Sequence, residues 1–210
     1  MPKIWNVESP VMKKFAMLTN LVCLNLLWIV FSLPVITIGA STTALYSTLF
    51  SYHKDETDAI FMPFLLAFKR SLKQSTLLWL LICIVAAVLF GDAVYIMSKN
   101  NSTYNVVWIP VGLAAFLTGM AGSYGFPQIA LFDNKLRTMI RNGYHLAILN
   151  LIPSMAILVV NILPWAMLLI MPQFFFASLP FWIMCGFSLS AYLNSYLLLK
   201  IFQKYMRKNE

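Results

Sequence analysis

The chain has 210 residues, 60% of them hydrophobic and only 10% charged, with 15 Lys and Arg against 7 Asp and Glu. An ordinary globular domain runs nearer about 45–50% apolar and about 25% charged, so the composition excludes that class and points to a polytopic membrane protein. The net charge of +8 is no nucleic-acid signal, because the cations are dispersed over short segments between apolar blocks, where a positive-inside bias already accounts for them.

Four charge-poor blocks follow one another: Phe15 to His53, Gln74 to Ser98, Asn100 to Phe132 and Asn142 to Leu199, with Asp92 the one charge inside them. A spanning helix needs about 20 apolar residues. The first block opens after Lys13 and Lys14, and its run from Phe15 to Leu33 has 19 residues, longer than the roughly 7–15 of a signal-peptide core. It reads as an uncleaved first span, although Gly39-Ala40-Ser41 loosely resembles a cleavage site.

Between Lys14 and Lys54 lie 39 residues without a formal charge, about 58 Å of helix and nearly two crossings. Leu33-Pro34 and Gly39 supply the break, since Pro lacks an amide donor and disfavours helix before it, while Gly permits unusual backbone angles. In the second span Thr37, Ser41, Ala44, Thr48 and Ser51 recur at intervals of three and four and share one face. Such a face lets helices approach closely in lipid; the alternative is a polar path for a solute.

From Pro63 to Gln74 a helix would place Phe64, Leu65, Phe68 and Leu72 on one side and Lys69, Arg70 and Lys73 on the other. Pro63 suits its first turn. This pattern predicts an interfacial amphipathic helix on the inner leaflet, with Lys69, Arg70 and Lys73 toward lipid headgroups or an acidic partner. The third span carries Asp92, a functional candidate as an intramembrane acid, or an interfacial acid given that it lies about five residues from the span's outer end.

In the fourth span Gly119 to Pro127 combines close-packing residues with a kink-forming Pro. The last block, 58 residues long, must hold two spans with a break at Met171-Pro172-Gln173. Its first half repeats Asn150-Leu151-Ile152-Pro153 as Asn161-Ile162-Leu163-Pro164, and a spacing of 11 residues returns to the same face within roughly 20°. Each Asn could bond a carbonyl freed by the nearby Pro or a neighbouring helix. Alternatively, Asn150 and Asn161 form a polar interior with Ser188, Tyr192 and Ser195 of the last span.

Basic residues set the count of crossings. If the chain turns back at 34 to 40, six spans place both termini in the cytoplasm with 14 basic residues inside (Lys3, Lys13, Lys14, Lys54, Lys69, Arg70, Lys73, Lys135, Arg137, Arg141, Lys200, Lys204, Arg207, Lys208) and Lys99 alone outside. With five spans the better split is 11 to 4. The expected spans are 15–34, 36–52, 75–97, 105–131, 146–170 and 174–200, in a single domain over 1–210 with short outer loops at about 34 to 40, 98 to 104 and 171 to 173.

Asn25-Leu26-Leu27-Trp28 followed by Leu33-Pro34-Val35-Ile36-Thr37-Ile38-Gly39-Ala40-Ser41-Thr42-Thr43-Ala44-Leu45-Tyr46 resembles the signature of the YesL family of bacterial integral membrane proteins of unknown activity. The segments Phe64 to Thr76 and Phe126 to Asp133 extend the likeness. What the resemblance implies is a multi-span protein of the bacterial cell membrane, often encoded beside carbohydrate-uptake and polysaccharide-degradation genes. The family has no established catalytic residues to carry over.

Catalytic, cofactor and metal sites are not expected. Cys23, Cys83 and Cys185 are isolated, His53 and His145 lie at span ends without a paired acid or thiol, and no phosphate-cradling glycine loop or GxSxG elbow occurs. The chain therefore reads as all-α, a six-helix bundle plus one interfacial helix, non-enzymatic, and an accessory or regulatory component linked to carbohydrate uptake. Its expected partners are an anionic inner leaflet and a sugar-importer permease. The alternative is a small-solute transporter with a polar path between spans 2, 5 and 6 made of Asp92, Asn150, Asn161, Ser188, Tyr192 and Ser195.

Overall fold

A computed structural model of the chain describes residues 10–54, 59–99 and 106–206. Every regular element among them is helical: α1 (Pro10–Ser32), a 3-10 turn (Val35–Thr37), α2 (Ile38–His53), α3 (Phe61–Lys99), α4 (Trp108–Leu131), α5 (Leu136–Leu149), α6 (Leu151–Ile170), α7 (Pro172–Ala177), α8 (Leu179–Phe181), a π-helical segment (Trp182–Gly186) and α9 (Phe187–Met206). Lys3, Arg207, Lys208 and most of the outer segment 98 to 104 lie outside the described residues.

The chain turns straight back after α1. Pro34, extended at φ −74° and ψ 105°, starts the 3-10 turn, and Thr37 Oγ1 donates to the carbonyls of Phe31 and Pro34, each at 2.7 Å. The returning α2 packs antiparallel to α1, with Ser41 Oγ donating to the Trp28 carbonyl at 3.0 Å and Trp28 Nε1 to Thr42 Oγ1 at 3.1 Å. Gly39, expected to help make the break, instead lies inside α2. A Cβ there would collide with the Ser75 carbonyl and sit 2.8 Å from Trp79 Cβ, so its role is close approach of α2 to α3.

Ten of the sixteen residues of α2 are buried, including Ser41, Ala44 and Thr48 of the small-residue face. Packing therefore uses that face. Thr43 and Ser75 hydroxyls join α2 to α3 at 2.8 Å, and Trp79 Nε1 donates to the Val35 carbonyl at 2.8 Å. A 16-residue helix is about 24 Å long, and α2 is not one of the five helices among the described residues that are long and apolar enough to cross a membrane. Those are Phe15–Ser32, Phe61–Ser98, Trp108–Leu131, Leu151–Ile170 and Leu179–Tyr205.

Two boundaries differ from expectation. The segment from Pro63 to Gln74 is no separate interfacial helix, because it continues without interruption into the third span as the 39-residue α3, about 58 Å long. Its buried face, Phe64, Ala67, Ser71, Ser75 and Leu78, recurs at three and four residues, a helical period with no breaker inside it. Span 5 does not begin at 146. The amphipathic α5 precedes it, burying Met139, Gly143 and Ala147, and the chain breaks at Asn150 (φ −126°, ψ 56°) before α6. The break expected at Met171 is present, with φ −135° and ψ 66° there.

Contacts fix alternating directions. Gly125 and Gly122 of α4 face Leu78 and Ile82 of α3, Asn161 of α6 meets Asn194 of α9, and Leu21 of α1 meets Ser188 of α9. The start of α1 and the end of α9 consequently share one end of the bundle. The core joins α1, α2, α4, α6 and α9 around Leu21, Leu49, Phe50, Tyr124, Ile157 and Leu198.

Candidate functional site

The buried polar groups are the most informative feature of this interior. An unpaired polar group costs several kcal/mol in lipid, and among the described residues the buried side-chain atoms left without a hydrogen-bond partner are Ser32 Oγ, Trp182 Nε1 and Asn194 Oδ1. Asn25, fully buried, grips the π-helical segment: its Nδ2 donates to the carbonyls of Trp182 at 3.0 Å and Ile183 at 2.6 Å, and its Oδ1 accepts from the Ser188 amide at 2.8 Å. A π-bulge displaces the regular i to i+4 ladder, and a primary amide carries both the donors and the acceptor needed to serve it. Ser188 Oγ adds a bond to the Leu21 carbonyl at 2.8 Å. Gly186 is required inside the bulge, where a Cβ would strike the Trp182 ring.

Two rungs tie α6 to α9. Asn161 Oδ1 accepts from Asn194 Nδ2 at 2.8 Å while Asn161 Nδ2 donates to Ser123 Oγ of α4 at 3.0 Å. Asn150 Nδ2 donates to Tyr205 Oη at 3.3 Å and to the Leu146 carbonyl at 3.0 Å. Both Asn residues thus face α9, as their spacing predicts, and their partners Asn194 and Tyr205 are themselves 11 residues apart. The expected partners Ser188, Tyr192 and Ser195 are elsewhere.

Ser195 Oγ lies 2.8 Å from His53 Nε2 and donates to the Tyr192 carbonyl at 2.7 Å. The His53 ring stacks on Tyr192 at 4.6 Å. A Ser–His contact is the geometry of a nucleophile and its base, but Ser195 is fully buried and its proton is committed to a backbone carbonyl, so the pair pins the end of α2 to α9. Tyr124 and Ser154 share a buried hydroxyl contact between α4 and α6.

Asp92 is exposed in the C-terminal half of α3, apart from all these groups. The six residues proposed for a polar path therefore do not meet in one place. A smaller cluster does form where α4, α6 and α9 converge: Asn194 holds Asn161 and through it Ser123. Asn194 Oδ1 is buried there without a hydrogen-bond partner among the described residues. For Ser123 and Asn194 the sequence offers only polarity within apolar runs, whereas Asn25 stands there only as the first residue of the YesL-like motif and His53 only as a histidine at a span end.

Among the described residues, no three His, Cys, Asp or Glu side chains are placed to hold a metal. The three thiols are free. A crevice between Met17, Leu21, Leu24, Leu49 and Ile60 has room for about 10 Å³, on the order of one water.

Of the basic residues singled out at 69 to 73, Lys69 and Lys73 are exposed, whereas Arg70 has a second task. Its Nη2 donates to the Ala130 carbonyl at 3.0 Å, and Gln74 Nε2 donates to the Asn134 carbonyl at 2.6 Å. A cation at a helix C-terminus satisfies orphan carbonyls and opposes the dipole. Gln128, in the amide orientation that serves both neighbours, donates to the Met139 carbonyl at 3.0 Å and accepts from the Gly143 amide at 3.1 Å, tying α4 to α5.

The motif that carries the YesL resemblance thus forms a helical hairpin, with Asn25 gripping the segment before α9 and Gly39 and Thr43 seated on α3. The model of a family described as "Protein of unknown function, DUF624" matches residues 21–93, which is this region. The "Uncharacterized protein YesL" of Bacillus subtilis (strain 168) is 29% identical over 133 residues, covering 61% of this chain and 62% of the relative. The chain is YesL-like. It spans somewhat under two thirds of that relative's length. No solved structure matches. Several apolar helices and this likeness fit a membrane protein of unknown function.

Proposed function

We propose that the chain is a non-enzymatic component of the bacterial cell membrane, with six passes and cytoplasmic termini, that assists carbohydrate uptake by docking beside a sugar-importer permease. The observation that carries this reading is the use of the interior. Asn25, Asn150, Asn161, Ser188 and Ser195 are each consumed in helix-to-helix or helix-to-backbone bonds, which suits a rigid scaffold. The carbohydrate link rests on the YesL resemblance. The antiparallel return of α2 and the basic residues support six passes: Lys54, Lys135, Lys200 and Lys204 stand at or near the helix ends that gather at one end of the bundle.

Mild crosslinking in native membranes, followed by tagged purification and mass spectrometry, tests this. Stoichiometric recovery of a sugar-importer permease is the expected result. Recovery of the chain alone contradicts the accessory role.

A second reading, a small-solute transporter with a path between spans 2, 5 and 6, is favoured by one observation: Asn161 and Asn194 of spans 5 and 6 meet in the interior and leave Asn194 Oδ1 unpartnered among the described residues. Replacing Asn150 and Asn161 together by Leu separates the two. Lost assembly supports packing, whereas intact protein with lost solute flux in liposomes supports transport.

A further inference from the structure

The corner where α3, α4 and α5 meet carries cations that the fold leaves unpaired. Leu78 of α3, Phe126 and Ile129 of α4 and Met139 of α5 share one small core, and the Arg70 and Gln74 bonds to the end of α4 lock α3 against the turn that starts α5. On the outer surface of this corner stand Lys69 and Lys73 of α3 and Lys135, Arg137 and Arg141 at and within α5, all exposed. None of the five forms an ion pair or hydrogen bond through its side chain among the described residues, and the one described acid nearby, Asp133, is exposed as well.

Both helices change character in the same direction. On α3 the exposed stripe runs Lys69, Lys73, Leu77, Leu80 and Ile84, at helical spacings of three and four. On α5 it runs Arg137, Arg141, His145 and Ile148, and Ile152 continues it on α6. Since α3 and α5 both run antiparallel to α4, the two stripes go from cationic to apolar in the same direction over two or three turns. That is the profile of a phospholipid, anionic at its head and apolar a few ångströms deeper; a free phosphate or a soluble polyanion would have no use for Leu77, Ile148 and Ile152.

We propose that the α3–α4–α5 corner binds the headgroup of an anionic membrane phospholipid. Lys69, Lys73, Lys135, Arg137 and Arg141 face the phosphate level, and Leu77, Leu80, Ile148 and Ile152 receive the acyl chains. Arg70 positions the corner through the α4 carbonyl.

The full chain, purified in a neutral detergent, tests this by thermal unfolding with added phosphatidylglycerol, phosphatidylcholine or inorganic phosphate. Phosphatidylglycerol is expected to raise the melting temperature while the other two do not. Each cation near an anionic lipid surface strengthens attraction about fivefold, so Lys73→Gln with Arg137→Gln should shift the phosphatidylglycerol midpoint about 25-fold upward. An equal rise with phosphatidylcholine, saturation by inorganic phosphate alone, or an unmoved midpoint in the double variant overturns the proposal. If that variant does not fold, native mass spectrometry of the unsubstituted chain decides: phosphatidylglycerol retained no better than phosphatidylcholine overturns it equally.

Discussion

Replacing Asn25 by Leu removes three bonds at 3.0, 2.6 and 2.8 Å from a site that is fully buried. An interhelical hydrogen bond in a membrane protein averages about 0.6 kcal/mol, and a typical buried one about 1 kcal/mol, so the loss is about 2–3 kcal/mol. For a chain of this size each kcal/mol moves the melting temperature by about 2–4 °C, giving a fall of about 5–10 °C. Detergent-solubilised protein, heated and then analysed by size exclusion, reads this directly. Thr19→Ala serves as control, because Thr19 is exposed and bonds only the Phe15 carbonyl of its own helix.

The same variant has a second consequence. If Asn25 holds the bulge open, its loss lets residues 182–186 relax toward a regular helix, which turns α9 by about 100° relative to α8 and takes Asn194 off Asn161. Asn161→Leu should then cost less in the Asn25→Leu background than alone, a coupling visible in a double-mutant cycle. Stability of Asn25→Leu within about 1 kcal/mol of the parent, with additive costs, would refute the reasoning.

Gly39→Ala should cost about 3 kcal/mol, at the upper end for overpacking, because the new Cβ meets the Ser75 backbone and Trp79 Cβ; the corresponding fall in melting temperature is about 6–12 °C, and an unchanged value contradicts the close approach. Asn161→Leu alone should cost about 1–2 kcal/mol for its two bonds and Asn150→Leu under about 1 kcal/mol, ranked by the same unfolding measurement. Arg70→Gln should leave the fold intact and cost no more than about 1 kcal/mol, since the bond to Ala130 is only partly buried; hydrogen exchange at the end of α4 should speed up, and no change there contradicts the capping role.

The hairpin was legible because an uncharged stretch too long for one span contains Leu33-Pro34, and proline cannot continue a helix. The role of Gly39 in letting α3 approach was not legible, since a glycine near a turn looks the same whether it bends the chain or admits a neighbouring backbone. Asn150 and Asn161 were read correctly as sharing a face, because period alone decides that. Their partners were not, since Asn194 and Tyr205 differ from Ser188, Tyr192 and Ser195 only in the rotation of α9, and the π-bulge at Trp182–Gly186 resets that rotation. α5 was hidden by Arg137 and Arg141, which look like a loop until Met139, Gly143 and Ala147 are seen as one buried face. Asp92 attracts attention as the lone acid of the apolar blocks, yet it stands exposed on α3.

The most direct test of the account concerns the first hairpin. In a chain whose Cys23, Cys83 and Cys185 are replaced by Ser, a single cysteine at Ile36, exposed at the turn between α1 and α2, is treated in intact cells with a membrane-impermeant maleimide, beside a second variant with the cysteine at Arg137. The account predicts labelling of position 36 from outside and of position 137 only after the membrane is opened. Labelling of position 36 only after opening would mean that the chain does not cross and return there, and six passes with both termini inside would fall with it.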